Sequence, residues 1–416
     1  MYRSLMESAP GKRQANPWLN RNVLFLSLSA FFADMGYQAV TAIFPLLIII
    51  KLGEPAYDYG ILLALSFGLG SAFSILGGRL GEKYGKKHIA LLGNLLIPLM
   101  SVSVLFHNIY IIGALFVFGW WARYFRTPVR RSWMVEVSDR NYQPKIFGFL
   151  HALDVGGGLI AVSYAIILVI LGTPLDDIIL VTAIPILVSS LMLLFAGTEK
   201  HPTFKSMEKG ESDSESIGEF EENARKNTFA FRIILLSATL FGFSYYALGF
   251  PIVTVAQTHG SYAYGILTFG IYLGISALAG FTLGSIRGKK PLRTLWTLGY
   301  GMAGVASLII GLSYLFGSSL YVFYIGAALL GFSTGSVETF EPVLTAFLAK
   351  SKQISTRMSW LSSSRAIGLF VSNITMGFLF VLGQFYSYLY ASVTAIIAAA
   401  ILAALEILRG KGLELK

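Results

Sequence analysis

Apolar runs long enough to cross a bilayer recur along this chain, divided by short segments that hold most of its charges together with Gly and Pro. A membrane-spanning helix needs about 20 mainly apolar residues. On that rule the first half of the chain carries spans over 22–50, 58–78, 88–106, 109–129, 147–171 and 178–197. The second half carries spans over 231–256, 262–286, 294–316, 320–348, 358–382 and 386–408. The pattern predicts an all-α membrane protein of twelve transmembrane helices in two six-helix bundles.

Composition agrees: 55% of residues are hydrophobic and 13% charged, too few polar groups for a chain wetted on all sides. The placement of the charges adds more. The formal net charge is +10, and the basic residues crowd into alternate loops. One set of loops holds Arg3, Lys12, Arg13 and Arg21, then Arg79, Lys83, Lys86 and Lys87, then Arg130, Arg131, Arg140 and Lys145. In the second half the same set holds Arg287, Lys289, Lys290 and Arg293, then Lys350, Lys352 and Arg357, then Arg409, Lys411 and Lys416. The other loops hold Lys51 with the acidic Glu54, Asp58, Asp176 and Asp177. By the positive-inside rule the expected location is a cell membrane with both termini in the cytoplasm. Basic clusters between apolar runs suit anionic membrane lipid rather than nucleic acid.

The absence of cysteine rules out disulfides, thiolate metal sites and cysteine nucleophiles. The five histidines, at 88, 107, 151, 201 and 259, lack metal-ligand spacing, and no cofactor or metal is expected. Residues 1–21 are polar and basic, and the apolar run behind them exceeds the roughly 7–15 residues of a signal-peptide core, so this segment is expected to stay as a cytoplasmic tail. Residues 198–228 are rich in Glu, Ser, Lys and Asp with no stretch able to pack a core. They read as a cytoplasmic linker between a bundle over 22–197 and a bundle over 229–408, with 409–416 as a second tail.

The halves echo one another. Tyr57-Asp58-Tyr59-Gly60-Ile61-Leu62 returns as Tyr262-Ala263-Tyr264-Gly265-Ile266-Leu267 at the start of spans two and eight. Leu80-Gly81-Glu82-Lys83-Tyr84-Gly85-Lys86-Lys87 returns, degenerate, as Leu283-Gly284-Ser285-Ile286-Arg287-Gly288-Lys289-Lys290. Two echoes in the same order indicate duplication and a pseudo-symmetric pair of bundles.

The run from Gly78 to Lys87 lies between spans two and three. Its glycines permit close helix approach and a tight turn, and Lys83, Lys86 and Lys87 suit a cytoplasmic interface. It resembles the loop signature of the major facilitator superfamily, Gly-x-Leu-(Gly/Ala)-(Asp/Glu)-(Arg/Lys)-x-Gly-(Arg/Lys)-(Arg/Lys), filled at every position by Gly78, Leu80, Gly81, Glu82, Lys83, Gly85, Lys86 and Lys87. The resemblance extends from span one to span twelve. It implies a secondary transporter working by alternating access, a central cavity lined mainly by spans one, four, seven and ten, and Glu82 as the acidic gating residue. Two family elements are altered. The Arg-x-x-x-Gly of span four is Arg123-Tyr124-Phe125-Arg126-Thr127 here, and the Gly-Pro end of the antiporter signature in span five is reduced to Gly156-Gly157-Gly158.

Ionisable residues inside spans cost several kcal/mol unless they face protein or a water-filled cavity, so each is a functional candidate. Asp34 falls near mid-membrane in span one, with Gln38 and Thr41 on its face. Arg123, Arg126 and Arg130 share a face of span four. Glu338 and Glu341 form a polar stripe in span ten with Thr334 and Thr345. Span five adds His151 and Asp154, spaced to touch, and span eleven adds Arg365. For Asp34, Glu338 and Glu341 the functional reading leads, because a carboxylate buried without a partner takes up a proton more readily than one in water. For Arg130, Arg131 and Glu136, helix-locking ion pairs are the simpler reading. Arg123 suits either an anionic substrate group or a neutralising pair. Tyr245 and Tyr246 in span seven are cavity candidates, since a hydroxyl on an aromatic body suits amphipathic solutes.

The leading expectation is a monomeric, proton-coupled transporter of a small molecule. A carboxylate among Asp34, Asp154, Glu338 and Glu341 would take a proton on one side and release it on the other, shifting its attraction to Arg123 or Arg126. An apolar, aromatic cavity tilts the expected direction slightly toward efflux of amphipathic or drug-like compounds; import of an organic anion, sugar or other nutrient is the alternative. A membrane enzyme would need a constellation such as His-Glu-x-x-His or paired catalytic aspartates, which the spans lack. A channel fits duplicated halves less well than rocking bundles do.

Overall fold

The computed structural model describes residues 18–139, 142–199, 220–244, 246–285, 290–348 and 354–410. Residues 1–17 of the N-terminal tail, residues 200–219 of the expected linker, Tyr245 and residues 411–416 lie outside the described residues.

Span one is Arg21–Lys51, span two Ala56–Tyr84, span three Lys86–Leu105 and span six Leu175–Phe195. Spans four and five are Ile109–Val137 and Gln143–Ile170. In the second half, span eight is Tyr262–Ser285, span nine Pro291–Leu315, span ten Leu320–Leu348, span eleven Ile354–Leu382 and span twelve Gln384–Gly410. Two helix starts are marked by asparagine caps. Asn20 caps span one by accepting from the Val23 amide at 2.9 Å, and Asn108 caps span four by accepting from the Tyr110 amide at 2.9 Å.

Among the described residues, ten helices are long and apolar enough to cross a membrane by length and composition. The remaining two spans depart from that standard for identifiable reasons. Span four is one unbroken 29-residue helix, but Arg123, Arg126, Arg130, Arg131 and Glu136 interrupt its apolar character. Span seven, expected as one helix over 231–256, is two: Phe220–Gly242 and Gly249–His259. Pro251 explains the break, because a proline lacks the amide that an interior turn needs but is tolerated in a first turn, where it sits. The freed backbone is satisfied locally. Phe241 O accepts from both the amide and the hydroxyl of Ser244, and the Ala247 amide donates to Asn373 Oδ1 at 3.2 Å.

Span two runs past the expected end at 78 to Tyr84, so most of the Gly78–Lys87 motif is helix. The turn is confined to Gly85, whose φ of 93° is open to glycine at little cost. The most tightly packed glycine here is the residue before the motif. A Cβ on Gly77 would lie 2.0 Å from Phe125 O, whereas one on Gly78 would meet nothing within 4 Å.

Duplication is visible in the packing. Spans one and five touch where a Cβ on Gly157 would lie 2.2 Å from Phe31 O, and their counterparts seven and eleven touch where one on Gly242 would lie 2.9 Å from Gly368 Cα. Spans two and four meet at Gly77, and spans eight and ten at Gly335, where an added Cβ would lie 2.4 Å from Ser276 O. Small residues that let backbones touch are the usual device where lipid removes the hydrophobic drive for association.

The two halves also meet on the face opposite the one that holds Arg21 and Gly410. Tyr57 stacks on Phe378 at 5.2 Å, Tyr59 lies edge-on to Phe250 at 5.6 Å, and Gly60 and Gly377 bring spans two and eleven into backbone contact. A Cβ on Gly377 would lie 2.8 Å from Tyr57 Cα and 2.9 Å from Ala56 O. Gly377→Leu is therefore expected to hold this face apart. Labelling of a Tyr57→Cys probe, clean in a chain without cysteine, should rise at least several-fold in that background; unchanged labelling would show that the contact is not the closure.

Candidate functional site

A cavity of about 230 Å³ opens between the halves. Span one lines it with Asp34, Tyr37 and Gln38, span four with Arg123, Arg126, Thr127, Arg130 and Arg131, span five with His151, Asp154, Val155 and Gly158, and span eight with Tyr272, Leu273, Ser276 and Ala277. Spans one and four are where the resemblance placed them, but spans five and eight take the places expected for seven and ten. Gly158 lies where spans one, five and eight come together, with Gln38 and Leu273 at 3.4 and 3.5 Å from where its Cβ would stand, ordinary contact distances.

The Asp34 and Asp154 carboxyls meet in this cavity. Asp34 is buried at 4% exposure. Asp154 faces Arg130, with Oδ1 3.6 Å from Nη2, so its ion pair reaches across to span four even though His151 lies one turn away. Arg130 is thus a wall of the cavity as well as a helix-locking group. Glu136 keeps the locking role, paired to Lys86 at 2.8 Å.

Arg126 is buried at 1% exposure, and its Nη1 donates to Asn94 Oδ1 at 2.6 Å. Asn94 is itself pinned, donating to Ser190 Oγ at 2.8 Å and Ser189 Oγ at 3.1 Å. Arg123 donates to Tyr37 Oη at 3.1 Å and lies over three rings, 4.5 Å from Tyr37, 5.0 Å from Trp120 and 5.8 Å from Tyr124. Tyr37 and Asn94 carry no charge and did not stand out in the sequence, although Tyr37 follows Asp34 by three positions and so shares its helix face.

Glu338, Glu341 and Arg365 form a separate cluster in the second half. Arg365 pairs with Glu338, and its Nη1 lies 3.5 Å from Glu341 Oε2. Glu341 is fully buried and accepts from the Tyr300 hydroxyl. Neither carboxylate lines the larger cavity. Glu338 nevertheless lies within electrostatic reach of Arg131 and His151 on the opposing half. Tyr246 faces a smaller void of about 10 Å³ beside Ser244, Tyr272 and Thr334, with its hydroxyl 3.2 Å from Ser307 Oγ. Tyr245 lies outside the described residues.

The sequence model of the Major Facilitator Superfamily matches residues 26–315, more than half of the chain. The chain belongs to the Major Facilitator Superfamily. Solved structures agree on the fold. A POT family transporter in complex with a thioalcohol-conjugated peptide superposes with a TM-score of 0.73 at 13% identity, over 93% of this chain and 96% of that one. The nucleoside transporter NupG gives 0.72 at 12%, over 93% and 100%. A bacterial homolog of the human lysosomal transporter Spinster gives 0.65 at 14%, over 92% and 96%. No curated protein matches the sequence. The protein is accordingly a multi-pass membrane transporter of the superfamily's twelve-helix fold, and not an enzyme.

Within that fold the superfamily loop between spans two and three holds the first bundle together. Lys87 Nζ donates to Leu194 O at 2.7 Å and Ala196 O at 2.8 Å, capping the end of span six, and Lys86 adds Ser132 to its bond with Glu136. Gly81 fits against Val129, where an added Cβ would stand 2.9 Å from Cγ1. Lys83 lies 5.1 Å from the Tyr84 ring, and Glu82 is exposed.

Proposed function

We propose that this protein is a proton-coupled secondary transporter of a cell membrane, with both termini in the cytoplasm, and that its exchangeable proton is held by the Asp34–Asp154 pair. The observation that carries this reading is the meeting of two carboxyls from different spans beside Arg130 in the cavity between the halves. Two carboxylates that share a site repel one another, and a proton shared between them relieves that repulsion. Adding that proton weakens the hold of Asp154 on Arg130, a link between spans five and four. It thereby alters the balance of states that alternating access requires. The alternation of basic and acidic loops supports the orientation.

Direction follows from the same linkage. Protonation removes a negative charge among four arginines and leaves the cavity more positive, so a solute with an anionic group binds together with the proton. That favours uptake with the proton over the export of amphipathic compounds that an apolar cavity would suit. In proteoliposomes, an imposed pH gradient should drive solute accumulation that a protonophore collapses. Accumulation indifferent to the protonophore would overturn proton coupling.

A further inference from the structure

Arg123 and Arg126 line the cavity with their hydrogen bonds and ring contacts made to neutral partners, while Asp34 acts on both through space. Arg126 gives one edge of its guanidinium to Asn94, and Arg123 is held by the hydroxyl and ring of Tyr37 and by the faces of Trp120 and Tyr124. Amide oxygens and aromatic faces position a guanidinium without cancelling its charge. Nε of each is buried without a hydrogen-bond partner, and so are Nε and Nη1 of Arg130. The cavity wall thus holds fixed cations whose unpaired N–H groups lie buried just behind its surface, on helices anchored by the Asn94 and serine network. A planar fork with free donors matches an oxyanion better than any other ligand class.

We propose that Arg123 and Arg126 bind the oxyanion end, carboxylate or phosphate, of the transported solute, so that the cargo is a small organic anion. This rests on the reading of the cavity as the transport site. The volume of about 230 Å³ holds on the order of eight waters at about 30 Å³ each, which suits a solute of roughly ten non-hydrogen atoms. Gln38, Tyr272 and Ser276, on the facing walls, offer hydrogen bonds to its uncharged part.

The test is equilibrium binding to the purified full chain by calorimetry, with size-matched probes: small mono- and dicarboxylates, phosphate monoesters, and their uncharged amide and cationic amine analogues. Binding by carboxylates or by phosphate esters, but not by amides or amines, is expected, and the two anion arms separate the two sources. Arg123→Gln and Arg126→Gln should each weaken that binding at least tenfold, with partial recovery in Arg123→Lys and Arg126→Lys, which retain the charge if a glutamine variant fails to fold. Binding of amines or amides alone, anion binding untouched by all four substitutions, or no anion bound across the panel would each overturn the proposal. Because equilibrium binding needs no gradient, anion binding without pH-driven uptake would overturn the proton reading and leave this site standing.

Discussion

Replacing Asp34 by asparagine is expected to lower pH-driven uptake by about 5- to 150-fold, the span of a coupling of about 1–3 kcal/mol between two sites, while solute exchange at equal pH persists. Asparagine keeps the volume of aspartate and a group able to hydrogen-bond Asp154, so the packing of this buried position (4% exposed) is conserved. What is lost is the capacity to share a proton. A carrier without that capacity still alternates when loaded, because solute binding itself biases the two states, but the gradient no longer does work on the cycle. Comparing pH-driven uptake with counterflow in the same vesicles reads the difference. Equal loss of both would point to a folding or binding defect, and loss of neither would remove Asp34 from the coupling site.

Arg365→Ala has the largest expected effect on stability, a loss of about 3–5 kcal/mol, as when one partner of a buried ion pair is removed. Arg365 faces both Glu338 and Glu341, and these differ in surroundings. The Glu338 side chain is 53% exposed and can be hydrated when its partner goes, whereas Glu341 is fully buried and keeps only the Tyr300 hydroxyl. The cost therefore falls on Glu341. A double variant, Arg365→Ala with Glu341→Gln, should recover much of the loss, since the stranded charge is gone. Thermal unfolding of the purified protein tests both statements. A double variant as unstable as the single one would place the cost in lost packing instead.

The spans were legible because bilayer thickness imposes a length on every apolar run, and the glycine and charge signals between them are local. The break in span seven was not, since Ser244 and two tyrosines are the only polar positions in residues 241–250 and only Pro251 hints at a restart. Candidate charges were found wherever an ionisable residue stood in an apolar run, and Asp34, Arg123, Arg126, His151 and Asp154 do come together. Their grouping was harder to foresee. The stripe of Glu338 and Glu341 on span ten is real as a helix face, but Arg365, 27 positions further on than Glu338, draws both into a cluster outside the larger cavity. Which spans line that cavity depends on how one bundle sits on the other, and helix periodicity carries no record of that. Neutral partners such as Asn94 and Tyr37 are invisible to a search for charge, although they hold the arginines in place.

The most direct test of proton-coupled alternation is the distance between spin labels at Tyr84→Cys and Trp360→Cys. Both positions are exposed (57% and 60%), at the ends of spans two and eleven on the face that holds Arg21 and Gly410, in a chain with no other cysteine. Two distance populations whose ratio changes between acidic and alkaline buffer, and no longer changes once Asp34→Asn is introduced, are the predicted result. A single distribution, the same at both pH values with and without Asp34, would contradict it.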